Sequence, residues 1–81
     1  MARLDKLHRK AERNPDNLNW SDFRALCEGY FGSPRDQSSS HITYRVPWAP
    51  ELLVNIQRGG KMAKGYQVRQ VLRFLREMPD E

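Results

Sequence analysis

The apolar positions change period several times along the chain, and each change predicts an element. Leu4, Leu7 and Ala11 recur at i, i+3 and i+7 inside a charged segment, so Ala2 to Arg13 predicts a helix with one thin buried stripe. Asn14-Pro15-Asp16-Asn17 breaks it, because proline lacks an amide hydrogen and Asn and Asp side chains hydrogen-bond within turns. Helical spacing resumes with Phe23, Leu26, Cys27 and Tyr30. Ser21 is the expected N-cap, Asp22 suits the positive end of the helix dipole, and Gly29 is the expected terminator after Glu28.

The period then falls from helical to two. The segment Phe31 to Ser40 holds Gly32, Pro34 and three serines, so any strand there is a short edge. From His41 to Val46, Ile42, Tyr44 and Val46 alternate with His41, Thr43 and Arg45, which sends the first three to a core and the others to the opposite face. Pro47-Trp48-Ala49-Pro50 is the expected hairpin connection, and Leu52 to Gln57 the next strand, with Leu52, Val54 and Ile56 inward. Gly59-Gly60 ends it. A flexible basic loop from Arg58 to Gly65 leads to a last helix, Tyr66 to Met78, whose buried stripe is Val68, Val71, Leu72 and Leu75 and whose stop is Pro79. The order predicts an α+β fold: a small antiparallel sheet with helices on one face and an open face carrying His41, Thr43 and Arg45.

Composition narrows the class. At 81 residues the chain fits one small domain, which excludes linked catalytic domains. Hydrophobic residues at 38% make a lean core, and cores this small often gain stability from a partner chain. Cys27 stands alone, so no internal disulfide is possible, and no Cys and His cluster has metal-ligand spacing; both features suit a reducing cytoplasm. No stretch approaches the roughly 20 apolar residues of a membrane span, and the mixed charges of the first residues are unlike a signal peptide.

The net charge of +4 favours an anionic partner, and its distribution says more than its size. Between Arg58 and Arg76 lie six cations, Arg58, Lys61, Lys64, Arg69, Arg73 and Arg76, and no acid, so the rest of the chain is net negative by two. A cationic stretch with a Gly-Gly loop and a helix start can gather phosphates by charge, backbone amides and helix dipole. It can equally be a solvated helix face, or dock an acidic protein. His41 is the sharpest candidate for proton transfer, although a lone surface histidine is ordinarily inert. His8 reads as incidental, Cys27 and Tyr44 as core, and Trp48 as a loop anchor or partner contact. The sequence offers no paired-carboxylate site, no nucleotide-binding Gly-rich loop and no hydrolase nucleophile motif.

The strings Ser39-Ser40-His41-Ile42, Val54-Asn55-Ile56-Gln57-Arg58-Gly59-Gly60 and Ala63-Lys64-Gly65-Tyr66-Gln67-Val68-Arg69-Gln70-Val71 resemble the HicA family of bacterial and archaeal toxins. The resemblance covers about Trp20 to Met78. It implies a fold like the double-stranded-RNA-binding domain for residues 18–79, within one domain of residues 1–81, with residues 1–17 as an N-terminal helical extension. It further implies a cytoplasmic, cofactor-free and metal-independent endoribonuclease that cleaves messenger RNA and is neutralised by a HicB-type antitoxin. The family's Gly-Ser-x-His turn falls on Ser38-Ser39-Ser40-His41, so His41 is the implied catalytic residue. Ser39, Ser40, Arg58, Lys61 and Lys64 are then the RNA-binding candidates, and Trp48, Arg69 and Arg73 the antitoxin contacts. Ser38 replaces the usual Gly, and Gly65 stands where relatives often have Pro. A non-catalytic RNA-binding module of the same fold is the alternative reading.

Overall fold

In a computed structural model, which describes residues 3–38 and 40–79, the elements are α1 (Arg3–Arg13), a 3-10 turn (Pro15–Asn17), α2 (Trp20–Phe31), β1 (Asp36–Gln37), β2 (His41–Val46), β3 (Ala49–Gln57) and α3 (Gly65–Arg76). The strands form an antiparallel sheet in the order β1-β2-β3. Ile42, Tyr44, Val46, Val54 and Ile56 turn to one side, where they meet Phe23, Leu26 and Cys27 of α2 and Val68, Val71, Leu72 and Leu75 of α3 in one buried cluster. Leu7 and Ala11 of α1 belong to that cluster, so the first helix is built into the core. Among the described residues no helix is long and apolar enough to cross a membrane.

The start of α2 differs from the expected cap. Asn19, not Ser21, is the N-cap, its side-chain oxygen accepting the Asp22 amide at 2.8 Å. Leu18 and Phe23, on either side of the cap, are both fully buried, the arrangement of a hydrophobic staple. Asn19 is extended because it forms an isolated antiparallel bridge with Met62. The bridge is flanked by bonds from the Trp20 amide to the Lys61 carbonyl and from the Ala63 amide to the Leu18 carbonyl, each 2.8 Å.

The end of α2 also moves. Gly29 lies inside the helix and ends nothing; Leu4 of α1 fills the space that a Cβ at Gly29 would take. Gly32 is the terminator instead, at φ 92°, its amide donating to the Glu28 carbonyl at 3.0 Å. The extra turn exists because Phe31 is buried against Tyr44 and Trp48, at ring-centre distances of 6.0 and 5.7 Å. Tyr30, placed by spacing in the buried stripe, is only half-buried and meets His8 edge-on.

β2 has the expected bounds and facing, with Ile42, Tyr44 and Val46 buried and His41 and Arg45 exposed. The hairpin turn is only Pro47-Trp48, and Ala49-Pro50 belong to β3. One step along β2, from Arg45 to Val46, spans Leu53 to Ala49 on β3, a bulge that breaks the alternation. Leu52, expected inward, is therefore 40% exposed. Pro50 is tolerated because β3 is an edge strand.

Candidate functional site

His41 opens β2 at the end of a tight hairpin. The Ser38 amide donates to the His41 carbonyl at 2.8 Å, and the His41 amide donates to Ser38 Oγ at 3.2 Å. A glycine could not make the second bond, and Ser38 has no positive φ, so serine at this position is unstrained and adds a side-chain contact. The His41 ring is exposed, with Nδ1 3.2 Å from Ser40 Oγ. The hydroxyl serves either state of the ring: as donor to Nδ1 it leaves the proton on Nε2, and as acceptor it leaves Nε2 bare. Ser39 lies outside the described residues.

The basic loop meets this hairpin directly. His41 pairs with Gln57 across the sheet, and the next residue, Arg58, donates its amide to the Ser40 carbonyl at 3.0 Å. Arg58 Nε donates to the Gly60 carbonyl at 3.1 Å, and the Lys64 side chain lies over Gly59, where a Cβ would strike its Cε. Arg58, Lys61 and Lys64 have no carboxylate partner among the described residues. The loop is not the flexible connection that its glycines predict, because the Asn19–Met62 bridge ties its middle to α2.

The start of α3 departs from expectation. The Asp16 carboxylate lies against Gly65 in the first helical turn, where any Cβ would collide with Asp16 Oδ1. A proline here would meet the same obstacle. Asp16 also accepts from Arg69 Nη2 at 2.6 Å, so a carboxylate of the chain itself occupies the positive end of the helix dipole. The expected phosphate site thus contracts to the loop. Arg69, Arg73 and Arg76 do form an exposed row, but Glu12 shares the groove that they line with Pro15 and Leu72.

The antitoxin-contact candidates are spread out. Trp48 is half-buried at the β2–β3 turn against Phe31, while Arg69 and Arg73 lie on α3 beside the Pro15–Asn17 turn. Cys27 is fully buried, and burial, with a smaller push from Glu28, raises its thiol well above the usual range, so it is no nucleophile. Tyr44 is core; its hydroxyl donates to Glu28 Oε2 at 3.3 Å.

Gln67 is a site residue that spacing alone did not single out. It is the one buried polar residue among the described residues, its Oε1 accepting the Gln57 amide at 3.0 Å and its Nε2 donating to the Tyr66 hydroxyl at 3.2 Å. It thereby fixes the strand position that faces His41. A signal was available: Gln67 lies four residues before Val71 on the same stripe, where a polar residue must find a partner. A second cationic groove, lined by Lys6, Arg9, Lys10, Arg13 and Asn14 of and beside α1, is another feature beyond the sequence reading.

Comparison with protein-family models, with curated proteins and with solved structures finds no match to this chain.

Proposed function

We propose that the chain is a ribonuclease toxin of the HicA kind, cleaving messenger RNA and held inactive by a HicB-type antitoxin. The observation that carries the reading is an exposed His41, in reach of Ser40 Oγ, beside a basic loop whose cations lack carboxylate partners among the described residues. The order α2-β1-β2-β3-α3, one helix, three antiparallel strands and one helix, is also that of a double-stranded-RNA-binding domain.

RNA carries its own nucleophile. Attack of a 2′-hydroxyl on the adjacent phosphorus breaks the bond to the 5′ oxygen and leaves a cyclic phosphate and a free 5′-hydroxyl. One proton must leave the attacking oxygen and one must reach the leaving oxygen. His41 performs one of these transfers and water the other, while Arg58, Lys61 and Lys64, with Ser40, hold the phosphate and offset the charge of the pentavalent state. The antitoxin acts by covering His41 and the loop. Of its contact candidates, Arg73 is free of a salt bridge among the described residues, Arg69 is engaged by Asp16, and Trp48 offers only part of its ring.

Incubating RNA with wild type and His41→Ala tests the catalytic role. The variant is expected to lose about 10²–10⁴-fold in cleavage rate, the span for one proton-transfer group. Equal cleavage by both, or none by either while folded, sinks the claim. The second reading, a non-catalytic RNA-binding module, rests on Ser40 being the only side-chain partner of the His41 ring among the described residues. It predicts salt-sensitive RNA binding that survives His41→Ala, with no cyclic-phosphate product.

A further inference from the structure

The outer edge of β3 is long, uncharged over most of its length and uncovered. In an antiparallel ladder the amide and carbonyl of one residue point to the same side, and successive residues alternate. The amides of Arg35 and Ser38 donate to the carbonyls of Thr43 and His41, so Thr43 and His41 face β1, and their alternates Ser40, Ile42 and Tyr44 face β3. Arg58 donates to Ser40, and Ile42 and Tyr44 stand opposite Ile56 and Val54. The backbone of Leu53, Asn55 and Gln57 therefore points away from the sheet. Gln67 takes the Gln57 amide, which confirms that direction and closes the edge at that point. Leu53 and Asn55 keep outward amides and carbonyls with no hydrogen-bond partner among the described residues.

Edge strands that stay single are ordinarily short, or guarded by lysine, inward charge or proline. β3 runs for nine residues, its proline sits at the hairpin end, and Leu52 to Gln57 carries no charged side chain. Leu52 and Leu53 are 40% and 47% exposed beside that open backbone.

We infer that this edge pairs with the same edge of a second copy, in an antiparallel arrangement centred on Val54. Leu53 of one copy then stands opposite Asn55 of the other, and each pair exchanges both backbone bonds, using every outward group left free between Leu53 and Asn55. The two Leu53 side chains become diagonal neighbours on the open face. A second copy fits despite the net charge of +4, because the paired stretch contains no like charges to oppose each other. The two-fold axis is perpendicular to the sheet, so the product is a six-stranded sheet with all helices on one side and both His41 side chains on the other. The contact is small, and the dimer therefore forms and separates with concentration. This inference does not depend on ribonuclease activity.

Sedimentation velocity from low- to high-micromolar concentration tests it with wild type, Asn55→Pro and Leu53→Lys. Proline at residue 55 removes an outward amide and leaves the β2 ladder intact, and lysine at residue 53 adds the missing guard. Wild type is expected to rise from the monomer mass toward twice that mass, while both variants stay monomeric with cooperative melting. If Asn55→Pro does not fold, Leu53→Lys alone decides. A wild type that is monomeric throughout leaves the edge to a different chain and overturns the inference, as does dimerisation that the folded variants retain.

Discussion

At one end of the cationic segment, Arg58, Lys61 and Lys64 hold no carboxylate among the described residues; at the other, Arg69 is closed on Asp16, and Arg73 and Arg76 share a groove with Glu12. The two ends look alike in sequence. They differ because α1 and the Pro15–Asn17 turn deliver acids to α3 from more than fifty positions away, and none of the described residues brings one to Arg58, Lys61 or Lys64. A run of like charge is thus a surface field only where the fold leaves it unanswered. On that ground the loop end, beside Ser40 and His41, is where we propose an anionic ligand, and the helix end is partly engaged in holding α3 to the rest of the chain.

The most forceful way to break this contrast is to cut the loop end away from α3. Gln67→Leu keeps the apolar stripe but strands the partly buried Gln57 amide, at a cost of about 1–3 kcal/mol. In a domain this size that lowers the melting temperature by several degrees, and calorimetry is the check; an unchanged melt would show that water replaces the glutamine. Charge reversal sharpens the contrast. Lys61→Glu with Lys64→Glu is expected to weaken RNA binding by about tenfold or more and flatten its salt dependence, while Arg73→Glu with Arg76→Glu changes it by no more than about threefold, read by fluorescence anisotropy at several salt concentrations. Comparable losses from both pairs would erase the distinction. The smallest effect is that of Asp16→Asn, which releases Arg69 and removes the carboxylate from the start of α3. The pair is exposed, so the stability cost is about 0.5 kcal/mol and is read from urea midpoints. The same variant is expected to tighten RNA binding slightly, making the helix end more like the loop end.

Much of the architecture was legible in the alternation of apolar positions. Tyr44, Val46, Val68 and Leu75 are buried as their periods predict, and the bounds of β2 follow from six residues of strict alternation. What escaped has a common cause, a contact made by residues remote in sequence. Gly29 has the appearance of a terminator until Leu4 is seen to need its missing side chain, and Ser21 has the appearance of a cap until Met62 is seen to hold Asn19 extended. Leu52 fits a period-two pattern that the bulge interrupts. In the candidate site, residue type and position offered His41 and the loop cations as candidates, and the resemblance alone ranked them above an inert histidine and a solvated basic stretch. The engagement of Asp16 with the start of α3 could not be read from sequence, since no local pattern joins residues 16 and 65. Ser38 is the instructive intermediate case, because its difference from the glycine of the resembled turn is visible in sequence, whereas the bond that its Oγ accepts from the His41 amide is visible only in three dimensions.

The bridge between Asn19 and Met62 changes the mechanics of the loop. The bonds around it join the chain just before and at the start of α2 to Lys61 and Ala63, so displacing the middle of the loop means prying at the cap of a helix whose flanking residues, Leu18 and Phe23, are fully buried. The glycine pair can still flex beside its anchor, while the backbone from which Lys61 and Lys64 extend is held in place. An RNA strand of the kind proposed would then meet cations whose points of attachment are fixed, so that its own bend, and not a refolding of the loop, would decide how many of them it reaches.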